Sequence, residues 1–214
     1  MGKIFLYAVA LITLCASCTK KECYRAYLFK YPVSIYPAQD TFNVGDTVWV
    51  EINLEDMIID ELTEEEINIS NLELEFIMVN SRYDIDYYNN SVSNFDFKLI
   101  DGNLSLSETK GLISFDRNDS KKFKLGMIPK VSGGQVVTIN PRLNNNDDDT
   151  VELGSRCIEI ISRDSYVEIN NNVENNVEIL EDLYIIADAD TLSWITEGYE
   201  IEEITSVYVF YVRE

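Results

Sequence analysis

The chain has 214 residues and no histidine. Histidine is the commonest general base near neutral pH and the commonest protein ligand of zinc. Its absence excludes Ser-His-Asp and Cys-His catalysis and histidine-based zinc sites. Because the sequence shows no other catalytic constellation, we expect a protein that is not an enzyme and that carries no cofactor.

Basic residues are scarce, since 17 Lys and Arg stand against 38 Asp and Glu and the formal net charge is −21. Affinity for nucleic acid comes largely from basic side chains that neutralise phosphates. A chain this acidic is repelled by phosphates and by anionic lipid headgroups. We expect no nucleic-acid partner.

Long apolar runs are also absent, apart from about eleven residues between Ile4 and Leu14. A membrane-spanning helix needs about 20 apolar residues, so this run is too short to span. Lys3 before the run and Ala16-Ser17 after it complete the pattern of an export signal. Residues 1–17 are predicted to be a signal peptide.

Two small residues directly precede Cys18, at the end of the apolar segment. This arrangement resembles the lipobox of bacterial lipoproteins. The resemblance implies that Cys18 carries lipid, palmitate included, and becomes the mature N-terminus on a membrane, with the outer membrane as the expected location. Each buried CH₂ of such a lipid contributes about 0.8 kcal/mol. The alternative is an ordinary secretory signal with an incidental cysteine.

Only four cysteines are present. If Cys15 leaves with the signal and Cys18 is lipidated, Cys23 and Cys157 remain. Two thiols in an oxidising envelope compartment predict one disulfide. It closes a loop of about 134 residues and stabilises by about 4 kcal/mol in the chain-entropy treatment. The alternative is two buried free thiols.

After a short tether, residues 18–23, the chain is predicted to form mainly strands. In Val48–Leu54, apolar residues alternate strictly with a second set that includes Trp49 and Glu51, as expected for a half-buried antiparallel strand. The same period of two recurs along the chain. It is found at Leu72, Leu74, Phe76 and Met78, at Phe95, Phe97 and Leu99, and at Phe123, Leu125 and Met127.

Short strands separated by Asn, Asp, Gly and Ser turns, without alternating helices, indicate a β-sandwich. We predict a mainly β chain, with an immunoglobulin-like antiparallel sandwich at residues 24–143 and a small α+β segment at 144–214 packed on it. The Asn144–Asp149 run is the predicted boundary. The last run, Ser206–Arg213, is predicted to be a strand that pairs with an earlier one.

Two stretches depart from the strand pattern. Asp56–Ile67 is predicted to be a helical connection, with an acidic loop as the alternative. A second helix is predicted behind Asn175-Asn176, which can cap it. Its apolar residues are Val177, Leu180, Leu183, Tyr184 and Ala187.

A candidate binding loop contains Tyr83, Tyr87 and Tyr88 among Asn and Asp residues. Tyrosine with asparagine gives rigid aromatic area and adaptable hydrogen bonding, as in many binding loops of sandwich domains. These side chains are suited to stack on a sugar or a partner protein. The alternative is a hairpin end whose tyrosines half-cover the core.

A weak calcium candidate is the acidic run Asp147, Asp148 and Asp149. Calcium takes six to eight hard oxygen ligands. The run lacks the alternate acids, central glycine and twelfth-place Glu of an EF-hand loop, so a solvated loop is the favoured interpretation and no metal is expected.

The whole arrangement resembles envelope lipoproteins of the Bacteroidota with an immunoglobulin-like sandwich. The similar segments are Pro37–Thr47 after the lipidated cysteine, Tyr166–Asn172 before a helix, and a closing Gly-Tyr and aromatic strand. The resemblance implies a lipid-anchored binding or structural module whose partner is an envelope protein or a glycan. A carboxylate-based hydrolase of polysaccharide and a calcium-dependent adhesin are the alternatives.

Overall fold

The computed structural model describes residues 23–82, 92–107, 112–116, 121–143, 150–151, 153, 157–161, 165–170, 176, 179 and 206–214. The predicted signal peptide, residues 1–17, and the helix predicted at 177–187 lie outside these ranges, apart from Ile179. The predicted boundary run at 144–149 also lies outside them.

The described residues form sixteen strands and one short 3₁₀ turn, Val92–Asn94. The strands are β1 Tyr24–Tyr27, β2 Lys30–Tyr36, β3 Thr41–Asn43, β4 Val48–Asn53, β5 Met57–Ile59, β6 Glu66–Asn68, β7 Leu74–Arg82, β8 Phe95–Asp101, β9 Ser105–Ser107, β10 Leu112–Asp116, β11 Lys122–Pro129, β12 Gly133–Leu143, β13 Thr150–Val151, β14 Ile158–Ile161, β15 Tyr166–Ile169 and β16 Val207–Arg213. The prediction of a mainly β chain is confirmed.

Two large sheets make the body of the protein. One has six strands in the order β3-β16-β12-β7-β10-β9, and the other has five in the order β15-β2-β4-β11-β8. Their inner faces share one apolar core, and Tyr31 of β2 meets Phe76 of β7 edge to face at 5.6 Å between ring centroids. The two sheets therefore pack face to face as a β-sandwich.

The predicted inner faces are confirmed where the alternation was strict. Val48, Val50 and Ile52 on β4 are at most 2% exposed, whereas Trp49 and Glu51 between them are half-buried. An alternating strand places one set of side chains on the core and the other toward solvent. The outer face of the five-stranded sheet is therefore the surface on which Trp49 stands.

The last strand, β16, lies inside the six-stranded sheet between β3 and β12. It runs antiparallel to β12 and parallel to β3, so the prediction that this strand pairs with earlier ones is confirmed. Two further pairs are parallel, β1 with β14 and β2 with β15. The expected antiparallel sandwich is thus mixed, because strands near the start pair with strands more than 130 residues later and reach them by long connections.

The helix predicted between Asp56 and Ile67 is wrong, because β5 and β6 pair there as an antiparallel hairpin. The buried Asp60 carboxylate accepts hydrogen bonds from the Thr63 hydroxyl at 2.6 Å and from the Leu28 N–H at 2.9 Å. A carboxylate used in this way fixes a tight turn. Ile58 and Ile67 then pack on the core from opposite strands of the hairpin.

Candidate functional site

Most of the predicted site residues lie outside the part of the chain that the structure describes. These are the lipidation residue Cys18, the binding-loop residues Tyr83, Tyr87 and Tyr88, and the calcium candidates Asp147, Asp148 and Asp149. The predicted disulfide partners and the outer face of the five-stranded sheet are described.

Cys23 and Cys157 form a disulfide, as predicted, with their Cα atoms 4.8 Å apart. Each cysteine directly precedes one strand of the parallel β1–β14 pair, in which Tyr24 lies opposite Ile158. The Ile158 N–H donates to the Cys23 carbonyl at 2.8 Å. The bond therefore fastens the first strand of the domain to a strand 134 residues later.

A buried pair of polar side chains lies beside this disulfide. The Tyr27 hydroxyl donates to one carboxylate oxygen of Glu159 at 2.6 Å, and the Leu153 N–H donates to the other at 2.6 Å. Burial and the hydrogen bond to Glu159 raise the pKa of Tyr27 to about 12. Both carboxylate oxygens are occupied by the protein itself, so this pair holds the small β1-β14-β13 sheet together.

The outer face of the five-stranded sheet carries a cluster of aromatic and charged side chains. We call it the Trp49 patch and define it as Tyr36, Trp49, Glu51, Lys98, Lys124 and Gly126. Strand register places four of these residues in one row, in the order Tyr36, Trp49, Gly126 and Lys98, on β2, β4, β11 and β8. Neighbouring strands are about 4.8 Å apart, so the row is about 14 Å long.

Gly126 makes room for the indole of Trp49. A Cβ at position 126 would lie 3.0 Å from Cζ3 and 3.3 Å from Cη2 of Trp49, and 2.9 Å from Cγ2 of Thr47. The Thr47 contact is shorter than real Cβ atoms show and the two Trp49 contacts are shorter than most, so a side chain at position 126 would displace its neighbours. The six-membered ring of the indole therefore lies over the backbone of β11, at the place where that strand has no side chain.

Two lysines approach this ring. The Lys124 ammonium is 5.4 Å from the Trp49 ring centroid and 5.2 Å from that of Tyr36, and the Lys98 ammonium is 5.9 Å from Trp49. Cations within about 6 Å of an aromatic ring are attracted by its negative face. The patch thus combines aromatic area with two positive charges.

Glu51 is the one carboxylate of the patch as defined. It accepts a hydrogen bond from the Tyr36 hydroxyl at 2.8 Å and pairs with Lys124 at 3.4 Å. The Tyr36 hydrogen bond is the main influence that lowers the pKa of Glu51 below its ordinary value, and Lys124 adds to it. Tyr36, and then Glu51, raise the pKa of Lys124. Both groups therefore stay charged near neutral pH.

One residue of this patch, Trp49, is recognisable in the sequence as a candidate surface residue. Trp49 stands on the polar side of a strictly alternating strand, where a large apolar side chain is unexpected. The contribution of Lys98, Lys124 and Gly126 was not visible, because register across three strands is not a local property of the sequence.

The described part of the chain shows no group with the geometry of a metal site. Within it, no three acidic or cysteine side chains converge as metal ligands would. No helix of the described ranges is long and apolar enough to cross a membrane.

With its two packed sheets, the chain belongs to the class of β-sandwich proteins. No protein-family model matches the chain, and comparison with curated proteins gives no match. Among solved structures, it is similar to two fragments of the human F-spondin reeler domain. For fragment 1 the identity is 10%, the TM-score 0.34, and the coverage 67% of this chain and 88% of that one. For fragment 2 the identity is 12%, the TM-score 0.35, and the coverage 69% of this chain and 96% of that one.

A third likeness is to the adhesin InvE of Yersinia pseudotuberculosis, at 12% identity and a TM-score of 0.20. It covers 64% of this chain and 26% of the adhesin chain. All three likenesses are remote in sequence.

Proposed function

We propose that this chain is a non-catalytic binding module of the bacterial cell envelope, anchored by lipid on Cys18, that binds its ligand through the Trp49 patch. The observation that carries the proposal is the Trp49 ring laid over Gly126 with two ammonium groups within 6 Å of it. Such an arrangement presents a rigid aromatic surface and fixed charge, which are features of binding sites.

The proposal includes an immunoglobulin-like topology. In chain order, β2, β4, β7, β8, β11, β12 and β16 take the places of strands A to G. Their neighbours support this assignment, since β2-β4-β11-β8 has the order ABED and β7-β12-β16 has the order CFG. In this assignment β9 and β10, inserted between D and E, extend the second sheet beyond strand C.

The anchor is supported by the residues around Cys18, where an apolar run and two small residues come directly before the cysteine. A single fatty chain binds a membrane only marginally, whereas several chains on one cysteine bind it durably. The outer membrane is the proposed location. A Cys18→Ala variant is expected to leave the membrane fraction and to incorporate no radiolabelled palmitate. Unchanged membrane association of this variant would overturn the anchor.

Binding is tested with the full chain, extracted in detergent, on immobilised dextran, amylose, alginate, polygalacturonate and casein. At least one of these is expected to retain the wild-type chain and to release the Trp49→Ala variant. The matched control is Lys30→Ala, on the same sheet face. Lys30 pairs with Glu168 at 3.4 Å, and its side chain is 35% exposed. Lys124 pairs with Glu51 at the same distance, and its side chain is 34% exposed, so the two lysines are alike in pairing and exposure.

The binding function fails if no surface retains the wild-type chain, or if retention is the same in the Trp49→Ala variant. Circular dichroism and thermal melting of each variant show whether the sandwich is intact. A Trp49→Phe variant keeps an aromatic ring at the position. If Trp49→Ala proves unstable, Trp49→Phe takes its place in the test, and it is expected to retain part of the binding.

A further inference from the structure

The Trp49 patch concentrates positive charge on a chain that has little of it. The chain carries 17 basic and 38 acidic residues, yet two lysines converge on one indole. Exposed charges more than a Debye length apart, about 8 Å at physiological salt, are largely screened from one another. Besides Glu51, two further described acids lie near the patch: Asp101 is opposite Lys124 in the β11–β8 pair, and Asp96 pairs with Lys130. Acids farther away influence a ligand on the patch only weakly.

The two lysines differ in how their charges are used. Lys124 shares Glu51 with the Tyr36 hydroxyl. Among the described residues, Lys98 contacts the Trp49 ring and forms no ion pair with a carboxylate. Within the described residues, Lys98 therefore lies at the end of the row without an ion-pair partner, and Lys124, partly compensated by Glu51, lies beside the centre of the row.

The aromatic part of the row favours a particular kind of ligand. A sugar ring has C–H groups on its faces and hydroxyl groups at its rim, so it stacks on a fixed aromatic ring and leaves its polar groups free for neighbouring side chains. The row from Tyr36 to Lys98 is about 14 Å long. This length accommodates more than one sugar ring laid across the strands.

We infer that the Trp49 patch binds an acidic sugar chain, with one ring stacked on Trp49 and the carboxylate groups of the chain held by Lys98 and Lys124. This inference rests on the proposed binding function and names its ligand class. The lysines act as point charges on flexible stems, which suits carboxylates spaced along a polymer. Glu51 partly offsets the charge of Lys124, so the contact of a carboxylate with Lys98 is expected to be the stronger of the two.

The test is calorimetric titration of the full chain in detergent with tetragalacturonate and with its fully methyl-esterified form. The ester keeps the sugar rings and removes their charges. Wild-type protein is expected to bind the acid at least about tenfold more tightly than the ester, corresponding to two lysine–carboxylate contacts. Raising the salt to about 1 M, where the Debye length is about 3 Å, is expected to remove most of this preference.

Variants separate the two components of binding. Lys98→Ala is expected to weaken binding of the acid and leave the ester unchanged, and Lys124→Ala is expected to do the same to a smaller extent. Trp49→Ala is expected to weaken both ligands. The Lys30→Ala control is expected to match wild type with both.

Equal affinity for acid and ester would overturn the acidic ligand while leaving the binding function intact. Trp49-dependent binding of dextran, without binding of the acidic sugar, would also overturn the acidic ligand and leave the binding function intact. Trp49-dependent binding to phosphatidylglycerol vesicles without binding to the acid would indicate a lipid surface and also overturn the inference. If neither these ligands nor the immobilised panel bind through Trp49, the proposed binding function fails as well.

Discussion

Gly126 lies directly opposite Trp49 in the β4–β11 pair, and the indole occupies the space that a side chain at position 126 would fill. Glycine within a strand weakens it and often marks the close approach of another group. Here that group is the Trp49 ring. The glycine is best explained by the surface that it creates, since nothing in the strand pairing requires it.

A Gly126→Val substitution tests this relationship. The new side chain collides with the indole and with Thr47, so the ring must leave its position. Affinity for tetragalacturonate is expected to fall at least about tenfold, and the free energy of unfolding by about 1–3 kcal/mol. Calorimetric titration and urea unfolding measure the two effects. Ser105→Val, which adds a similar side chain at an exposed position of β9, is the control. Unchanged affinity in a folded Gly126→Val protein would show that the ring position is irrelevant.

Asp60 is expected to stabilise the β5–β6 hairpin in a pH-dependent manner. Burial alone would raise the pKa of this carboxyl, but hydrogen bonds from Thr63 and from the backbone of Leu28 and Leu62 outweigh it and hold the pKa below its ordinary value. The carboxylate therefore contributes stability that is present above the unfolded pKa and is lost as pH falls through the folded pKa.

Asp60→Ala is expected to cost about 1–3 kcal/mol near neutral pH, because it leaves buried donors unpaired. The difference from wild type shrinks below about pH 4, the ordinary pKa of aspartate. Urea unfolding at several pH values measures it. Asp96→Ala, at a carboxylate that is 68% exposed and pairs with Lys130, is expected to change stability by less than about 1 kcal/mol. If Asp60→Ala lowers the free energy of unfolding by the same amount at all pH values, the ionised carboxylate of Asp60 is not the source of the stability.

Tyr27 is expected to make stability fall in alkaline solution. Its pKa is raised to about 12 by burial and by Glu159, whereas an unfolded tyrosine ionises near 10.0. The unfolded chain therefore loses its proton first, and the contribution of Tyr27 is present below pH 10 and is lost as pH rises toward 12. Tyr27→Phe removes this slope and costs about 1.5–3 kcal/mol at neutral pH, since the bond to a charged group is lost.

The matched control is Tyr24→Phe, because the side chain of Tyr24 is 66% exposed and lies on the same strand. Denaturant unfolding between neutral and alkaline pH gives the comparison. If Tyr27→Phe and wild type lose stability in parallel above pH 10, the hydroxyl does not carry the effect.

Two buried amides on neighbouring strands are expected to cost stability. Asn80 on β7 and Gln135 on β12 are 1% and 0% exposed, and within the described structure their side-chain nitrogen and oxygen atoms have no hydrogen-bond partner. Replacing such a group with an apolar one of similar shape removes its desolvation cost. Asn80→Leu and Gln135→Met are each expected to raise the free energy of unfolding by about 1 kcal/mol. A loss of stability in both variants would show that the amides are satisfied in solution.

The elements that the sequence predicted well are those with a local signature. Val48, Val50 and Ile52 were assigned to the buried face from alternation alone, because a strand side chain points to the side opposite its neighbours. Cys23 and Cys157 were paired by elimination once the other two cysteines were assigned. The closing strand Val207–Arg213 was marked by its β-branched and aromatic residues.

The elements that were missed depend on contacts distant in sequence. Residues 56–67 form a hairpin because Asp60 accepts a hydrogen bond from Leu28, more than 30 residues earlier. Leu99 and Phe95 were predicted to lie on the same buried face of β8. Leu99 is 40% exposed, whereas Phe95 is 3% exposed, because β8 is an edge strand. Trp49 and Gly126 become neighbours only through register.

The Trp49 patch, on the outer face of the five-stranded sheet, is the proposed binding surface. The most direct measurement follows the amide and indole N–H resonances of the full chain in detergent micelles as tetragalacturonate is added. If the ligand binds at the patch, the largest shifts are expected at the Trp49 indole, at Gly126 and at Lys98. Largest shifts at Tyr83, Tyr87 and Tyr88, with the Trp49 indole unmoved, would contradict binding at the patch and place binding in the loop instead.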